Sequence, residues 1–124
     1  PDKAHALVRR HAALADACGV ALSAGGLGDA DAAFDVVLNG STSSLGGLAA
    51  PVPDHVLKAG TLALDLMYGP AAKPFMAWAA ALGATPRDGL GMLVEQAAEA
   101  FFLWRGVRPE TAPVLQRLHR LLNP

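Results

Sequence analysis

Cysteine and tyrosine are close to absent from this sequence: its 124 residues contain one of each, Cys18 and Tyr68. A single thiol cannot close an internal disulfide, so packing must hold the fold. Cys18 lies in an Ala-rich helical pattern with no activating base beside it, and is expected to be buried and inert. Charge is scarce as well: 17% of residues are charged, against roughly 25% in an average soluble domain. The formal net charge is -1, so no basic field exists to draw in nucleic acid or an anionic membrane surface. There is no unbroken run of about 18 apolar residues such as a membrane-spanning helix needs. No charged-then-apolar leader opens the chain, and a cytoplasmic protein is the expectation. His5, His11, His55 and His119 never fall at the i, i+4 spacing that sets two metal ligands on one helix face. Surface histidines, and no metal, are expected. The sequence also lacks a dinucleotide fingerprint, a nucleophile elbow and a phosphate loop; "GGLGDAD" (25–31) has glycines without the strand-to-helix setting that gives such motifs meaning.

Hydrophobic residues are what the chain has most of, at 52%. That suffices for the core of one domain and leaves apolar surface to face something other than water. Helical spacing of Ala4, Leu7, Val8, Ala12, Leu14 and Ala15 predicts a first helix ended by Gly19. "VALSA" (20–24) is short and partly β-prone. "FDVVLN" (34–39) and "TLALDLMY" (61–68) are compact apolar runs bounded by turn formers and predict strands. Between them runs a loop rich in Gly, Ser and Pro, then a short helical turn reaching Leu57 that Asp54 could cap. Pro74 suits the first turn of a helix over about 73–82, with Phe75, Trp78, Ala79 and Leu82 on one face. Asp88 could cap the next helix, which Gly106 stops. Pro109 to Leu122 supplies the last, with Val114, Leu115, Leu118, Leu121 and Leu122 inward. Two or three short apolar strands separated by helical segments predict an α/β fold with a parallel sheet and crossover helices.

In such a sheet ligands collect beyond the carboxyl ends of the strands. Three segments fall there. Asn39 to Ser44 offers hydroxyls at Ser41, Thr42, Ser43 and Ser44 to a phosphate or sugar, or is a polar turn. Leu66 to Tyr68 ends the second strand, and the phenol could donate to a ligand or simply pack on the rim. "GLGM" (89–92) opens a helix where missing side chains would let a flat ligand near the backbone, although a tight turn also explains the glycines. Gln96, one turn beyond Met92, is flanked by apolar neighbours, a setting in which an amide usually has a specific partner. Asp65 could be a catalytic carboxylate, though a strand-end Asp satisfied by backbone N–H groups is the commoner case.

"FDVVLNGSTSSLGG", "ALDLMYGPAAKPFMAWAAALGA" and "DGLGMLVEQAAEAFFLWRGVRPETAPV" together resemble the C-terminal, nucleotide-binding half of shikimate dehydrogenase, from Pro1 to about Leu122. The resemblance implies a partial Rossmann-like domain over residues 1–124, with the Gly-rich loop and the N-terminal substrate domain lying outside it. It implies an NADP-dependent enzyme that reduces 3-dehydroshikimate to shikimate on the way to aromatic amino acids. Lys3 matches a basic position of the segment that reads the 2′-phosphate of NADP. Ser41 and Thr42 fall in the loop lining the cofactor groove, and Leu66 and Gly89 at backbone positions beside the nicotinamide. Met92 should pack on that ring. Tyr68 and Gln96 correspond to the two residues this half offers to shikimate, the phenol toward its carboxylate and the amide toward a ring hydroxyl, while Glu95 is expected in a structural polar contact. Gly40-Ser41-Thr42 departs from the more usual Ala-Thr-Ser. The family's catalytic Lys and Asp belong to the other domain, so no catalytic residue is assigned and this stretch alone is expected to be inactive, with its exposed apolar surface driving a symmetric dimer. An NAD-using quinate/shikimate paralogue and a non-enzymatic interaction module are the alternatives; keeping both Tyr68 and Gln96 argues against the second.

Overall fold

Three short parallel strands, hydrogen-bonded in the order β1-β2-β3, form the centre of the computed structural model, which describes residues 2–47 and 52–122. β1 is Val36–Asn39, β2 Leu62–Asp65 and β3 Thr85–Arg87. Val36 stands opposite Leu62 and Asn39 opposite Asp65, while Leu62 and Leu64 face Thr85 and Arg87 on the other side. Parallel neighbours require crossovers. The chain returns from β2 to β3 through a 3-10 turn at Gly69–Ala72 and helix α2, Lys73–Ala81. Between β1 and β2 no α-helix intervenes among the described residues, only 3-10 turns at Ser43–Gly46 and Asp54–Val56. Helix α1 is Asp2–Ala17, α3 is Leu90–Arg105 and α4 is Ala112–Leu122.

The core lies between α2 and one face of the sheet. Ala63 on β2 and Ala79 on α2 are small enough to let helix and strand approach closely, and Phe75 fills the space beside them with Val56, Leu57 and Ala84. Ala63, Phe75 and Ala79 expose no surface. Trp78 packs its ring 5.5 Å from that of Phe75 and donates its indole N–H to Asp54 at 2.7 Å. Strand residues alternate faces, so Val36, Leu38 and Leu62 project from the opposite side, where they are exposed.

Helix ends fall where the glycines sit: Gly83 (φ 76°) and Gly106 (φ 70°) adopt the left-handed conformation that stops a helix. Other expectations need correction. Residues 20–24 are not a strand, because no neighbour among the described residues pairs with them. β3 was not foreseen in Thr85-Pro86-Arg87. Asp54 does not cap its turn; Pro53 occupies the cap position, and the Asp54 carboxylate serves Trp78 instead. Cys18 is exposed rather than buried, since the apolar face of α1 is largely open, with Ala15 its one buried residue. α4 begins at Ala112, and Val114 and Leu121, expected inward, are exposed. Arg108 ties the α3–α4 connection down, pairing with Glu99 and setting its guanidinium 5.0 Å from the centre of the Phe102 ring.

Candidate functional site

The carboxyl ends of β1 and β2 lie side by side, with Asn39 and Asp65 both buried and opposite one another. The Leu66 N–H donates to the Asn39 carbonyl at 3.0 Å, which prolongs the pairing one step past the strands. The Asn39 side-chain oxygen then accepts from both the N–H (3.1 Å) and the hydroxyl (2.7 Å) of Ser41. Ser43 closes the series, its hydroxyl 2.8 Å from that of Ser41. Thr42 between them is exposed, and its hydroxyl makes no hydrogen bond among the described residues. Asp65 accepts from the Met67 N–H at 3.0 Å, so it turns the chain out of β2, the structural role of a strand-end carboxylate.

Gly89 meets this rim from the other direction. Its N–H donates to the Met67 carbonyl at 2.8 Å, and a Cβ built on it would stand 2.3 Å from the Leu66 carbonyl oxygen. No larger residue fits there without moving backbone. At Gly91 a Cβ would meet nothing within 4 Å. The two glycines therefore do different things: Gly89 lets the exit of β2 lie against the start of α3, and Gly91 leaves open space. Asp88 locks the same junction, its carboxylate accepting from the Gly69 N–H and the Leu90 N–H, each at 3.3 Å.

Leu66, Tyr68 and Met92 keep 40%, 40% and 42% of their surface exposed at this junction. Gln96 is exposed and lies one helical turn past Met92, on the same side of α3. Its amide is thus open to solvent, although its apolar neighbours in sequence suggested a partner. Glu95 is also exposed and makes no hydrogen bond among the described residues, contrary to the polar contact expected of it. Direct contacts bring Leu66 and Gly89 together, and the Gly69–Asp88–Leu90 bridge adds the segment carrying Tyr68; Met92 and Gln96 follow within two turns. Ser41 and Thr42 extend from β1 beside Leu66, as the 3.5 Å approach of a Cβ on Gly40 to the Leu66 side chain indicates. Lys3 is exposed on the first turn of α1, and no ion pair or hydrogen bond among the described residues links it to the rim. Asp88, expected to cap α3, stands one residue ahead of the cap position, which Gly89 holds, yet its carboxylate still accepts the Leu90 N–H; Asn39 was not singled out for its role, and an Asn just after a strand is the signal that points to it.

A shift in acidity lies at the other end of β1. Lys58 sits 2.7 Å from Asp35, and its hydrogen bond and charge hold that carboxyl below its ordinary value. No grouping of side chains suited to a metal ion occurs among the described residues.

Parallel strands joined by a crossover helix, with hydroxyl, phenol, thioether and amide groups gathered at their carboxyl ends, define a Rossmann-like α/β unit. Residues 89–119 match the model of the shikimate 5′-dehydrogenase C-terminal domain. The chain is 57% identical over 123 residues to a shikimate dehydrogenase (NADP(+)) of Methylibium petroleiphilum, covering 99% of this chain and 42% of that protein. Among solved structures it resembles shikimate 5-dehydrogenase of Thermus thermophilus in complex with shikimate, with 31% identity and a TM-score of 0.61 over 94% of this chain and 42% of that one. It also resembles a shikimate dehydrogenase in complex with NADP+, with 25% identity and a TM-score of 0.60 over 73% of this chain and 33% of that one. Over nearly all its length, then, the chain is similar to a part of these shikimate dehydrogenases. It spans about two fifths of the length of the curated relatives it matches.

Proposed function

We propose that residues 1–124 form part of the cofactor-binding half of an NADP-dependent shikimate dehydrogenase, the whole enzyme reducing 3-dehydroshikimate to shikimate. The observation that carries this reading is the Leu66–Gly89 contact, which sets the start of α3, with Met92 and Gln96, against the end of β2, with Leu66 and Tyr68. The residues suit the nicotinamide end of the cofactor: an apolar side chain, a thioether and open backbone at Gly91, none carrying charge. NADPH supplies the hydride when bound; the protein's share is binding, orientation and shielding from water.

In this reading Leu66, Gly89 and Met92 form the wall beside the nicotinamide, Ser41 and Thr42 line the groove along β1, and Lys3 attends the 2′-phosphate. Tyr68 donates its phenolic hydrogen to the substrate carboxylate, and the Gln96 amide exchanges hydrogen bonds with a ring hydroxyl. Both position substrate, while the acid/base chemistry is supplied from the other domain. The half-exposed apolar surface of α1 and the sheet face supports self-association as a dimer, which light scattering tests; a clean monomer at high concentration would contradict it.

The functional test is turnover by the full-length enzyme carrying Gln96→Ala. Losing the amide and leaving the substrate hydroxyl unpaired costs about 1–3 kcal/mol, or roughly a 5- to 150-fold fall in kcat/KM. An unchanged rate would remove Gln96, and with it the substrate wall, from the account.

A further inference from the structure

Lys73, Arg87 and His119 come from three separate elements, the first residue of α2, the last of β3 and the last turn of α4, and line one cleft of about 630 Å³. The cleft touches the rim at Gly69 and Asp88, and none of the residues assigned above to cofactor or substrate lines it. Met76 and Pro86 add apolar wall. Like charges gathered around one space repel unless something answers them, and the fold leaves Lys73 and Arg87 unanswered. Lys73 makes no ion pair or side-chain hydrogen bond among the described residues. Arg87 spends one guanidinium N–H on the carbonyl of its own neighbour Pro86, at 2.9 Å, which leaves the rest of its fork. Asp88 is the acid on the cleft, and it is turned to backbone: one oxygen accepts from the Gly69 N–H and the other from the Leu90 N–H, each at 3.3 Å. Two fixed positive charges therefore stand against one negative, with the His119 ring on the same cleft, in a chain whose formal net charge is -1.

We infer that this cleft is a second binding site, separate from the rim, for a small organic anion carrying two or three carboxylates. Its volume falls in the range of small-molecule pockets, about 300–1,000 Å³, and is far larger than a phosphate ion. A compact anion would reach one wall and leave the others unmet. A branched polycarboxylate sets one carboxylate on the Arg87 fork, which matches it with two parallel N–H groups, and another on the Lys73 ammonium, while its carbon skeleton lies against Met76 and Pro86. An anion held there links α4 to α2 and to the end of β3, beside the Asp88 bridge that fixes the start of α3. Binding therefore stabilises the fold as well as neutralising the cleft.

The test is an amide NMR titration of the full 124-residue chain with citrate, acetate and inorganic phosphate, each taken to tens of millimolar at an ionic strength held constant with sodium chloride. Expected are saturable shifts at Lys73, Arg87 and His119 with citrate, which should bind several-fold more tightly than acetate or phosphate. Lys73→Gln and Arg87→Gln change exposed side chains, and each should weaken citrate about 3- to 10-fold. Arg87→Lys, which keeps the charge and loses the fork, should fall between parent and Arg87→Gln. In the full-length enzyme citrate should raise the melting temperature, and raise it less in the Arg87→Gln variant. Shifts that sodium chloride alone reproduces would overturn the proposal, as would phosphate binding as tightly as citrate or both glutamine variants keeping the parent's affinity. Equal stabilisation of the full-length parent and variant would overturn it too, and citrate shifts confined to Lys3 and Ser41 would do so while leaving the cofactor reading standing.

Discussion

Replacing Gly89 with alanine would place a methyl carbon 2.3 Å from the Leu66 carbonyl oxygen, 2.8 Å from its carbon and 3.2 Å from the Asp65 oxygen. Even the short C–H···O contacts between strands keep carbon and oxygen about 3.3 Å apart, so the end of β2 and the start of α3 must separate by about 1 Å. The obstacle is purely steric, since Gly89 has φ −78° and ψ 3°, backbone angles that alanine tolerates. Overpacking of this kind costs about 1–3 kcal/mol. Stretching the Gly89 hydrogen bond to Met67, now 2.8 Å, adds about 0.5–1.5 kcal/mol. Against these stands about 0.4–1 kcal/mol gained by stiffening the unfolded chain, for a net loss of about 2–3 kcal/mol. At this chain length that lowers the melting temperature by roughly 8–12 °C. Gly91→Ala is the internal control: its Cβ meets open space, and better helix propensity should leave the protein unchanged or about 0.5 kcal/mol more stable. Thermal melts followed by far-UV circular dichroism read both. A Gly89→Ala melt within about 2 °C of the parent, or a Gly91→Ala loss as large as that at 89, would refute the division of labour between the two glycines.

Thr61 exposes no surface, donates to the Phe34 carbonyl at 2.6 Å and accepts from the Lys58 N–H at 3.0 Å. Thr61→Val should therefore cost about 2–3 kcal/mol in urea unfolding, with Thr61→Ser recovering most of it; equal stability of the two variants would contradict the assignment. Phe75→Ala empties the centre of the core and should cost about 3–5 kcal/mol, and a loss under about 1 kcal/mol would mean that the core is elsewhere. Lys58→Ala should raise the titration of Asp35 toward the ordinary 3.8, read from carboxyl carbon shifts. Because that carboxyl is held low in the folded state, whatever stability the pair gives is present above 3.8 and is lost as pH falls through the depressed value. No movement of the Asp35 titration in the variant would show that Lys58 is not its cause.

The fold was readable where hydrophobic period and stop signals agreed. Phe75, Trp78 and Ala79 bounded by Pro74 and Gly83 announce α2, and the apolar runs ending at Asn39 and Asp65 announce β1 and β2. β3 escaped because Thr85-Pro86-Arg87 has no apolar alternation and carries a proline; it is a strand only because β2 lies beside it, and a proline is tolerated on an edge. Residues 20–24 failed in the opposite way, with some β propensity but no neighbour to pair with among the described residues. At the candidate site, the positions at strand ends and helix start were legible from order alone. Which glycine is indispensable and which hydroxyl is already spent were not, since both depend on contacts through space: Leu66 against Gly89, and Asn39 against Ser41.

Met67, Met76 and Met92 are the three methionines of the chain, which makes their methyl groups natural reporters of where a nicotinamide ring settles. The chain is titrated to millimolar NADP+ and, separately, to the same dinucleotide lacking the nicotinamide base, with the three methyl signals followed by carbon–proton correlation. The account predicts that Met92 moves upfield with NADP+ and not with the truncated molecule, while Met76, on α2, stays in place. Movement of Met76 with Met92 silent, or an equal response to both molecules, would contradict the location of the nicotinamide end at the junction of Leu66 and Gly89.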